Sequence, residues 1–262
     1  MLFLLSPAKS LDYETPTRIK ATEPVYTEQA AELIEVLRQK SPADIAGLMD
    51  LSDALATLNV GRYALWQREA TRHNSKPAVL AFNGDVYDGL QARTLKPADL
   101  HWAQKRLVIL SGLYGALRPL DALQPYRLEM GTRLANPRGA DLYTWWGDTV
   151  SAHLNAQLAE LGEGAHPVVV NLASQEYFRV VRRSTLRARV VECVFEDWKG
   201  EGYKVISFFA KRARGLMARH AIEQRLRKVD DLRGFAADGY GYAADASAPD
   251  RLVFRRKRLD AA

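Results

Sequence analysis

The sequence predicts an α/β protein with a mixed β-sheet and surrounding helices. Short apolar runs, typical of buried strands, alternate along the chain with longer amphipathic patterns typical of helices. The 262 residues are 47% hydrophobic and 26% charged, which is the composition of a globular protein with enough chain for a sizeable core. No apolar run approaches the length of a membrane span.

The N-terminal third begins with one strand and continues with helices. The apolar run 1–5 lacks a basic leader and is too short for a signal peptide, so it predicts a first strand. A polar loop is expected at 13–26. The pattern at 27–39 places Ala31, Ile34 and Leu37 on one face of an amphipathic helix.

Two further helices are predicted between residues 41 and 70. Ser41, followed by Pro42 and then by Asp44, has the residue order of a capped helix start. The segment 50–52 interrupts this short helix, and Ser52 then caps a second helix that is expected to continue to residue 70.

After residue 75 the predicted elements alternate. Apolar runs predict strands at 78–82, 107–110, 167–170, 190–195 and 203–209. Helical patterns lie near 98–106, 147–161 and 210–228. The strand order does not follow from the sequence.

Polar and charged residues follow the predicted strands directly. They lie at 6–9, 83–85, 111–114, 173–177 and 210–212. Because α/β proteins assemble ligand clefts from the loops after their strands, we expect these groups to share a cleft. The alternative is that each strand end simply reaches solvent and turns.

The loop within 110–134 is rich in Gly, Pro, Tyr and Arg, a composition that favours an ordered functional loop. Arg118 and Arg127 are its candidate anion contacts. Alternatively the loop is a structural corner in which arginines pair with Asp121 and Glu129. Four tyrosines of the expected cleft either stack on bases or are buried in the core: Tyr87, Tyr114, Tyr126 and Tyr177.

The net charge of +6 is concentrated in the C-terminal half. This excess suggests a polyanionic partner, most commonly nucleic acid, although a solvated basic surface has the same composition. On the helix expected at 210–228, five cations fall within roughly 160° of arc. They are Lys211, Arg212, Arg214, Arg219 and Arg225. The tail adds Arg251, Arg255, Arg256, Lys257 and Arg258.

Common catalytic and metal-binding patterns are absent from the sequence. Cys193, the one cysteine, excludes an internal disulfide, fits a reducing compartment and is expected to be a core residue. The five histidines have no ligand spacing, and no metalloprotease, nucleophile-elbow or P-loop motif is present. We therefore expect no metal and no cofactor, and we favour a binding protein over an enzyme.

Several long motifs resemble the bacterial YaaA family of peroxide-stress proteins. They are SPAKSLD (6–12), FNGDVYDGLQA (82–92), LSGLYGALRPLDALQPYRLEMG (110–131), DLYTWWGD (141–148), NLASQEYF (171–178) and ISFFAKRARGLMARH (206–220). The resemblance extends from residue 1 to about residue 242 and leaves 243–262 as a basic C-terminal tail.

The resemblance implies a single domain of unusual α/β topology, with a basic cleft and a helix-hairpin-helix element that we place at 41–66. It also implies DNA binding and protection against hydrogen peroxide and iron-linked damage. Such hairpins bind phosphate through backbone amides and usually carry glycines. Here Asp50 and Asp53 stand in the hairpin, and their charge opposes a direct phosphate contact.

The leading hypothesis is therefore a cytoplasmic, monomeric protein that binds double-stranded DNA, bent or distorted forms included, largely without sequence specificity. The candidate DNA contacts are Lys9, Arg62, Arg118, Arg127, Lys211, Arg212, Arg214 and Arg219. The alternative is an enzyme acting on a nucleotide or another anionic small molecule, with Lys9, Asp85 and Glu176 as the catalytic candidates. A third possibility is iron sequestration, which the ligand inventory does not favour.

Overall fold

A computed structural model describes residues 1–162, 164 and 166–257 of the chain. The helices of this part of the chain are α1 (Thr27–Arg38), α2 (Pro42–Met49), α3 (Asp53–Leu65), α4 (Ala78–Ala81), α5 (Asp85–Leu90), α6 (Pro97–Arg106), α7 (Leu142–Trp146), α8 (Thr149–Glu160), α9 (Gln175–Phe178) and α10 (Ser207–Glu223). Its strands are β1 (Leu2–Leu5), β2 (Ser10–Leu11), β3 (Lys76–Pro77), β4 (Phe82–Asn83), β5 (Leu107–Ser111), β6 (Gly115–Leu117), β7 (Ala122–Leu123), β8 (Val168–Leu172), β9 (Arg189–Lys199), β10 (Gly202–Lys204), β11 (Gly241–Tyr242) and β12 (Arg251–Arg256).

The central sheet is mixed, as predicted. Its order is β11-β12-β9-β8-β1-β5-β6, and β10 pairs with β9 outside this path. The strands β5, β1, β8, β9 and β12 run parallel to their neighbours in that series, whereas β6, β10 and β11 are antiparallel. Because the parallel strands point the same way, their carboxyl ends share one edge of the sheet, which we call the carboxyl edge.

The middle of the sheet is the core of the protein. Every residue of β1 and β5 is buried, as expected for parallel strands covered by helices on both faces. This confirms the strand that the N-terminal apolar run predicts, and it places that strand at the centre of the sheet. Two small two-stranded ladders, β2 with β4 and β3 with β7, lie outside the main sheet.

The predicted helical pair after residue 41 forms as α2 and α3. The Ser41 hydroxyl accepts the Asp44 N–H, and the Asp44 carboxylate accepts the Ser41 N–H at 2.8 Å, so the predicted cap is confirmed. The helix α3 ends at Leu65, before the expected residue 70. Here Arg38 donates to the main-chain oxygens of Tyr63, Ala64 and Trp66, and so satisfies carbonyls that a longer helix would have used.

Two predicted strands are wrong. The run 78–82 forms α4 and only the first residue of β4, because a short, fully buried apolar run has no periodicity that separates a helix from a strand. The run 203–209 contributes two residues to β10, and α10 then begins at Ser207. The predicted helix at 147–161 forms as α8, and the separate short helix α7 ends before it at Gly147, whose φ is 49°.

The segment that the sequence sets apart as a tail contains a strand of the central sheet. The strand β12 pairs in parallel with β9, with Leu252 opposite Cys193 and Arg256 opposite Asp197. Leu252 and Phe254 are at most 1% exposed. Basic residues on both sides of this apolar core conceal the strand in the sequence. Residues 258–262, which include Arg258, lie outside the described residues.

The helices α5 and α10 cross at backbone contact, and two glycines permit the crossing. A Cβ on Gly215 would lie 1.8 Å from the Val86 carbonyl oxygen, and one on Gly89 would lie 2.1 Å from the Arg212 carbonyl oxygen. Any side chain at these positions would separate the helices. This crossing fixes the orientation of α10 relative to the loop that follows β4.

Candidate functional site

The loops after β1, β5 and β8 meet at the carboxyl edge. The Ser174 N–H after β8 donates to the Ser6 hydroxyl after β1 at 2.9 Å. The Ser111 hydroxyl at the end of β5 shares a hydrogen bond of 2.6 Å with Tyr126. The first bond joins the loops after β1 and β8, and an ion pair of 2.9 Å between Lys9 Nζ and Glu129 Oε1 joins the segment after β5 to the loop after β1. That these loops share a ligand cleft stays a prediction.

A charged cluster lies on these loops. Lys9 Nζ and Arg127 Nη2 both contact Glu129 Oε1, at 2.9 and 3.0 Å. The Lys9 side chain is 67% exposed, whereas those of Arg127 and Glu129 are 14% and 17% exposed. Glu176 accepts the Gly131 N–H at 3.0 Å and so lies against the same segment. We call Lys9, Arg127, Glu129 and Glu176 the strand-end cluster.

The helix α3 contributes Arg62 next to this cluster. The neighbouring Tyr63 hydroxyl donates to the main-chain oxygen of Arg127. Burial lowers the pKa of the Arg62 guanidinium, and the like charge of Arg127 acts in the same direction. The hydrogen bond of Tyr63 holds the C-terminal part of α3 against the loop that carries Arg127.

Asp85 lies close to the strand-end cluster in the fold. Ser10 pairs with Asn83 in the ladder between β2 and β4, and a Cβ on Gly84 would lie 3.5 Å from that of Ala8. This places the start of α5 beside the loop that carries Lys9. Within the described part of the chain, no side chain or N–H group donates a hydrogen bond to the half-buried Asp85 carboxylate.

The four candidate tyrosines are buried in the core, which confirms that alternative over stacking on bases. Tyr87, Tyr114, Tyr126 and Tyr177 are between 2% and 8% exposed. Burial raises the pKa of each phenol, that of Tyr114 to about 12. Their hydroxyls are used internally: that of Tyr87 donates to the Ser6 carbonyl at 3.1 Å. None of the four presents a ring on which a base could stack.

Arg118 lies in a corner of the chain and not in the strand-end cluster. Its guanidinium contacts Asp121, which is fully buried, at 2.9 Å, and it donates to the Glu23 carbonyl at 2.8 Å. The Asp121 carboxylate also accepts the Arg118 N–H. These contacts match the alternative in which an arginine of the 110–134 loop pairs with Asp121 within a structural corner. An anion contact by Arg118 stays a prediction.

The basic residues of α10 have three different environments. Arg212 and Arg219 face α5 and the segment after it: Arg212 donates to the Asp88 carbonyl at 3.3 Å and Arg219 to the Leu90 carbonyl at 3.2 Å. Arg214 is half-buried, and desolvation lowers the pKa of its guanidinium. Lys211 is exposed, and no described residue forms an ion pair with it.

An exposed aromatic side chain near Lys211 was not among the predicted site residues. Phe208 is 56% exposed and lies three residues before Lys211, so both project from one side of α10. The apolar run 203–209 predicts a strand, and in a strand Phe208 and Lys211 would not share a helical face. Only the start of α10 at Ser207 shows that this ring and the lysine lie together.

The hairpin between α2 and α3 carries negative charge. Asp50 has a left-handed conformation with φ 51° and ends α2, while Asp53 opens α3, and both are exposed. Carboxylates at these positions oppose a phosphate at the hairpin itself. Neither helix geometry nor contacts identify the pair as a DNA-binding helix-hairpin-helix.

Two features of the described residues bear on reaction with peroxide: the grouping of side chains that could bind a metal ion, and the thiol of Cys193. No group of three or more His, Cys, Asp or Glu side chains among them could hold a metal ion. Cys193 is a buried core residue as predicted, and burial raises the pKa of its thiol to about 12. The thiolate that reacts with peroxide is thus disfavoured at neutral pH. No described helix is long and apolar enough to cross a membrane.

Comparisons with known proteins agree with the resemblance in the motifs. Residues 1–246 match the model of a family described as "Peroxide stress protein YaaA". A UPF0246 protein of Leptothrix cholodnii is 75% identical over 260 residues, covering 99% of this chain and 100% of the relative. A UPF0246 protein of Bordetella avium is 60% identical over 261 residues, covering 99% of this chain and 100% of the relative. One of Polaromonas naphthalenivorans is 62% identical over 257 residues, covering 98% of this chain and 98% of the relative.

Proposed function

The chain belongs to the YaaA family of peroxide stress proteins, and from this premise we propose that it binds double-stranded DNA largely without sequence specificity. In this proposal it acts as a monomer in the cytoplasm, prefers bent or distorted duplexes, and limits oxidative and iron-linked damage by covering DNA.

The observation that carries the proposal is the exposed basic and aromatic segment from the end of β10 to the first turns of α10. Lys204 and Lys211 are exposed, and within the described part of the chain neither has an ion-pair partner. Phe208 lies between them in the sequence and is 56% exposed. Unpaired lysines contact phosphates without reading sequence, and an exposed ring can pack on a base or sugar where the duplex is distorted.

The other predicted contacts support this surface to different degrees. Lys9 is exposed but shares Glu129 with Arg127, so an anion that approaches it must compete with a carboxylate. Arg212 and Arg219 hold α10 against α5 and act here as positioning residues. We place no phosphate at the acidic hairpin between α2 and α3.

The test is duplex binding by nucleic-acid-free protein as a function of salt. Replacing Lys204 and Lys211 with Ala is expected to weaken binding about tenfold or more at low salt, because two phosphate contacts are lost. The slope of log K against log salt should fall by about 2. Fluorescence anisotropy with a straight duplex and a duplex that contains a bubble measures both quantities.

The matched control removes two other lysines. Lys96 and Lys105 are exposed and belong to the start and the last turn of α6. Their double replacement with Ala lowers the net charge equally and should leave the salt slope within about half a unit. An equal loss of affinity in both variants, or no binding by the unaltered protein at low salt, would refute the proposed surface.

A second candidate function is an enzyme that acts on an anionic small molecule at the strand-end cluster. The specific observation is the mixed charge of this edge: Lys9 and Arg127 lie with Glu129 and Glu176, and the nearby Asp85 carboxylate has no hydrogen-bond donor among the described residues. Acids and cations together suit proton transfer on a small substrate better than they suit a polyanion.

A metabolite screen with the purified protein tests this candidate. Asp85→Asn should abolish any turnover that the screen detects, because an amide cannot accept a proton, while the melting temperature stays unchanged. Glu176→Gln is a milder change, since its amide oxygen can still accept the Gly131 N–H. Turnover that survives Asp85→Asn would exclude this carboxylate as the base.

A further inference from the structure

A second cleft lies away from the strand-end cluster. It has a volume of about 850 Å³ and lies between two segments, 17–24 and 68–75, with Pro77 and Ala122 as further lining residues. No residue of the strand-end cluster lines it. Pockets that enclose a nucleotide-sized ligand have volumes of roughly 300–1,000 Å³.

Cations line the cleft on both sides. Arg18 and Lys20 belong to one segment, and Arg68 and Arg72 to the other. Arg68 contacts Glu28 at 2.7 Å, but Arg18, Lys20 and Arg72 are exposed and have no ion-pair partner among the described residues. Two carboxylates, Glu23 and Glu69, also line the cleft, so its cations outnumber its anions by four to two.

Hydrogen bonds hold both walls in place without a ligand. In the first wall the Thr22 N–H donates to the Leu120 carbonyl at 2.8 Å, and the Thr22 carbonyl accepts the Ala122 N–H at 2.8 Å. In the second, the Asn74 side chain accepts the Thr71 N–H at 2.7 Å and donates to the Glu69 carbonyl at 3.0 Å. The backbone of both walls is therefore ordered before an anion binds, and the conformational entropy lost on binding comes mainly from the cationic side chains.

The remaining lining is apolar. Ile19, which is 36% exposed, and the exposed Ala21 and Ala70 offer apolar surface that a nucleobase could cover. Cations and apolar side chains on the same two walls match a ligand that has a flat apolar part and a chain of phosphates. From this combination we propose that the cleft binds a nucleoside polyphosphate.

This site is separate from the proposed DNA surface on α10, and the proposal does not depend on DNA binding. The experiment is isothermal titration calorimetry in the absence of DNA, with ATP, GTP, CTP and UTP as probes, inorganic tripolyphosphate for the phosphate chain and adenosine for the base. At least one of the four nucleotides is expected to bind with a stoichiometry of one, more tightly than tripolyphosphate, while adenosine binds weakest.

Replacing Arg18 and Arg72 with Ala, one cation from each wall, should lower the nucleotide affinity at least about tenfold, because each would contribute a charge-assisted hydrogen bond. The control is the double replacement of Arg183 and Arg187, which are exposed and do not line the cleft. It removes the same charge and should change the affinity less than about twofold.

Three results would overturn the proposal. They are the absence of binding by all four nucleotides at low salt, an equal loss in the control variant, and tripolyphosphate binding as tightly as every nucleotide, which would leave the apolar lining without a role. A loss of duplex binding in the Lys204 and Lys211 variant with nucleotide binding unchanged would instead confirm that the two sites are independent.

Discussion

Gly215→Ala is expected to lower the free energy of unfolding by about 3 kcal/mol or more. The new methyl group would lie 1.8 Å from the Val86 carbonyl oxygen and 2.8 Å from the Leu90 N. Both atoms belong to the backbone of α5, so no side-chain rotation relieves the contact and the helices must move apart. Urea denaturation followed by circular dichroism measures the change.

Gly61→Ala is the matched control. Gly61 lies inside α3, is exposed, and a Cβ there would meet nothing within 4 Å. Alanine at this position should stabilise the protein by up to about 1 kcal/mol, because it restricts the unfolded chain and favours the helix. If both substitutions changed the free energy of unfolding in the same direction and by the same amount, Gly215 would not be required for the close packing of α5 on α10.

The sequence predicts the class of the fold and the polar loops at the carboxyl edge because both follow from local patterns. The apolar runs of β1, β5, β8 and β9 are long or flanked by clear turn residues, and polar groups follow them directly. The predictions fail at 78–82 and 203–209, where tertiary contacts decide between helix and strand. The burial of α4 and the packing of α10 against α5 depend on contacts between residues that are distant in the sequence, and a local pattern does not reveal such contacts.

The cations show a second limit of prediction from sequence: the sequence does not show which of them are paired. Arg118 and Lys211 both stand in motifs that suggest anion binding, yet Arg118 contacts the buried Asp121 whereas Lys211 is exposed. Charge counts cannot distinguish these roles, because a guanidinium that satisfies carbonyls contributes the same formal charge as a free one. Which cations are available to a polyanion is decided by packing.

The same limit applies to the basic C-terminus. The pattern of Arg255 and Arg256 suggests a solvated tail, but Arg256 is 3% exposed and contacts Asp197 at 2.6 Å and Asp238 at 2.6 Å. Its guanidinium also lies 4.7 Å from the ring of Phe209 and 4.3 Å from that of Tyr240. The last described strand therefore joins β9, α10 and the segment before β11.

Asp197→Ala is expected to lower the free energy of unfolding by about 3–5 kcal/mol, the other large effect. The Asp197 side chain is 4% exposed, and it accepts hydrogen bonds from Arg256 at 2.6 Å and from the Tyr240 hydroxyl at 2.6 Å. Its loss leaves the buried Arg256 with only the partly exposed Asp238 as an ion-pair partner among the described residues. Urea denaturation again measures the effect.

Asp250→Ala provides the control, because Asp250 contacts Arg189 at 2.5 Å with both side chains about half exposed or more. Solvent screens this pair, and its loss should cost less than about 1 kcal/mol. Combining Asp197→Ala with Arg256→Met should recover part of the loss, since methionine removes the buried charge that has lost one of its two partners and keeps apolar contact with Phe209. A double variant less stable than Asp197→Ala alone would show that Arg256 stabilises the C-terminal strand mainly through its ring contacts.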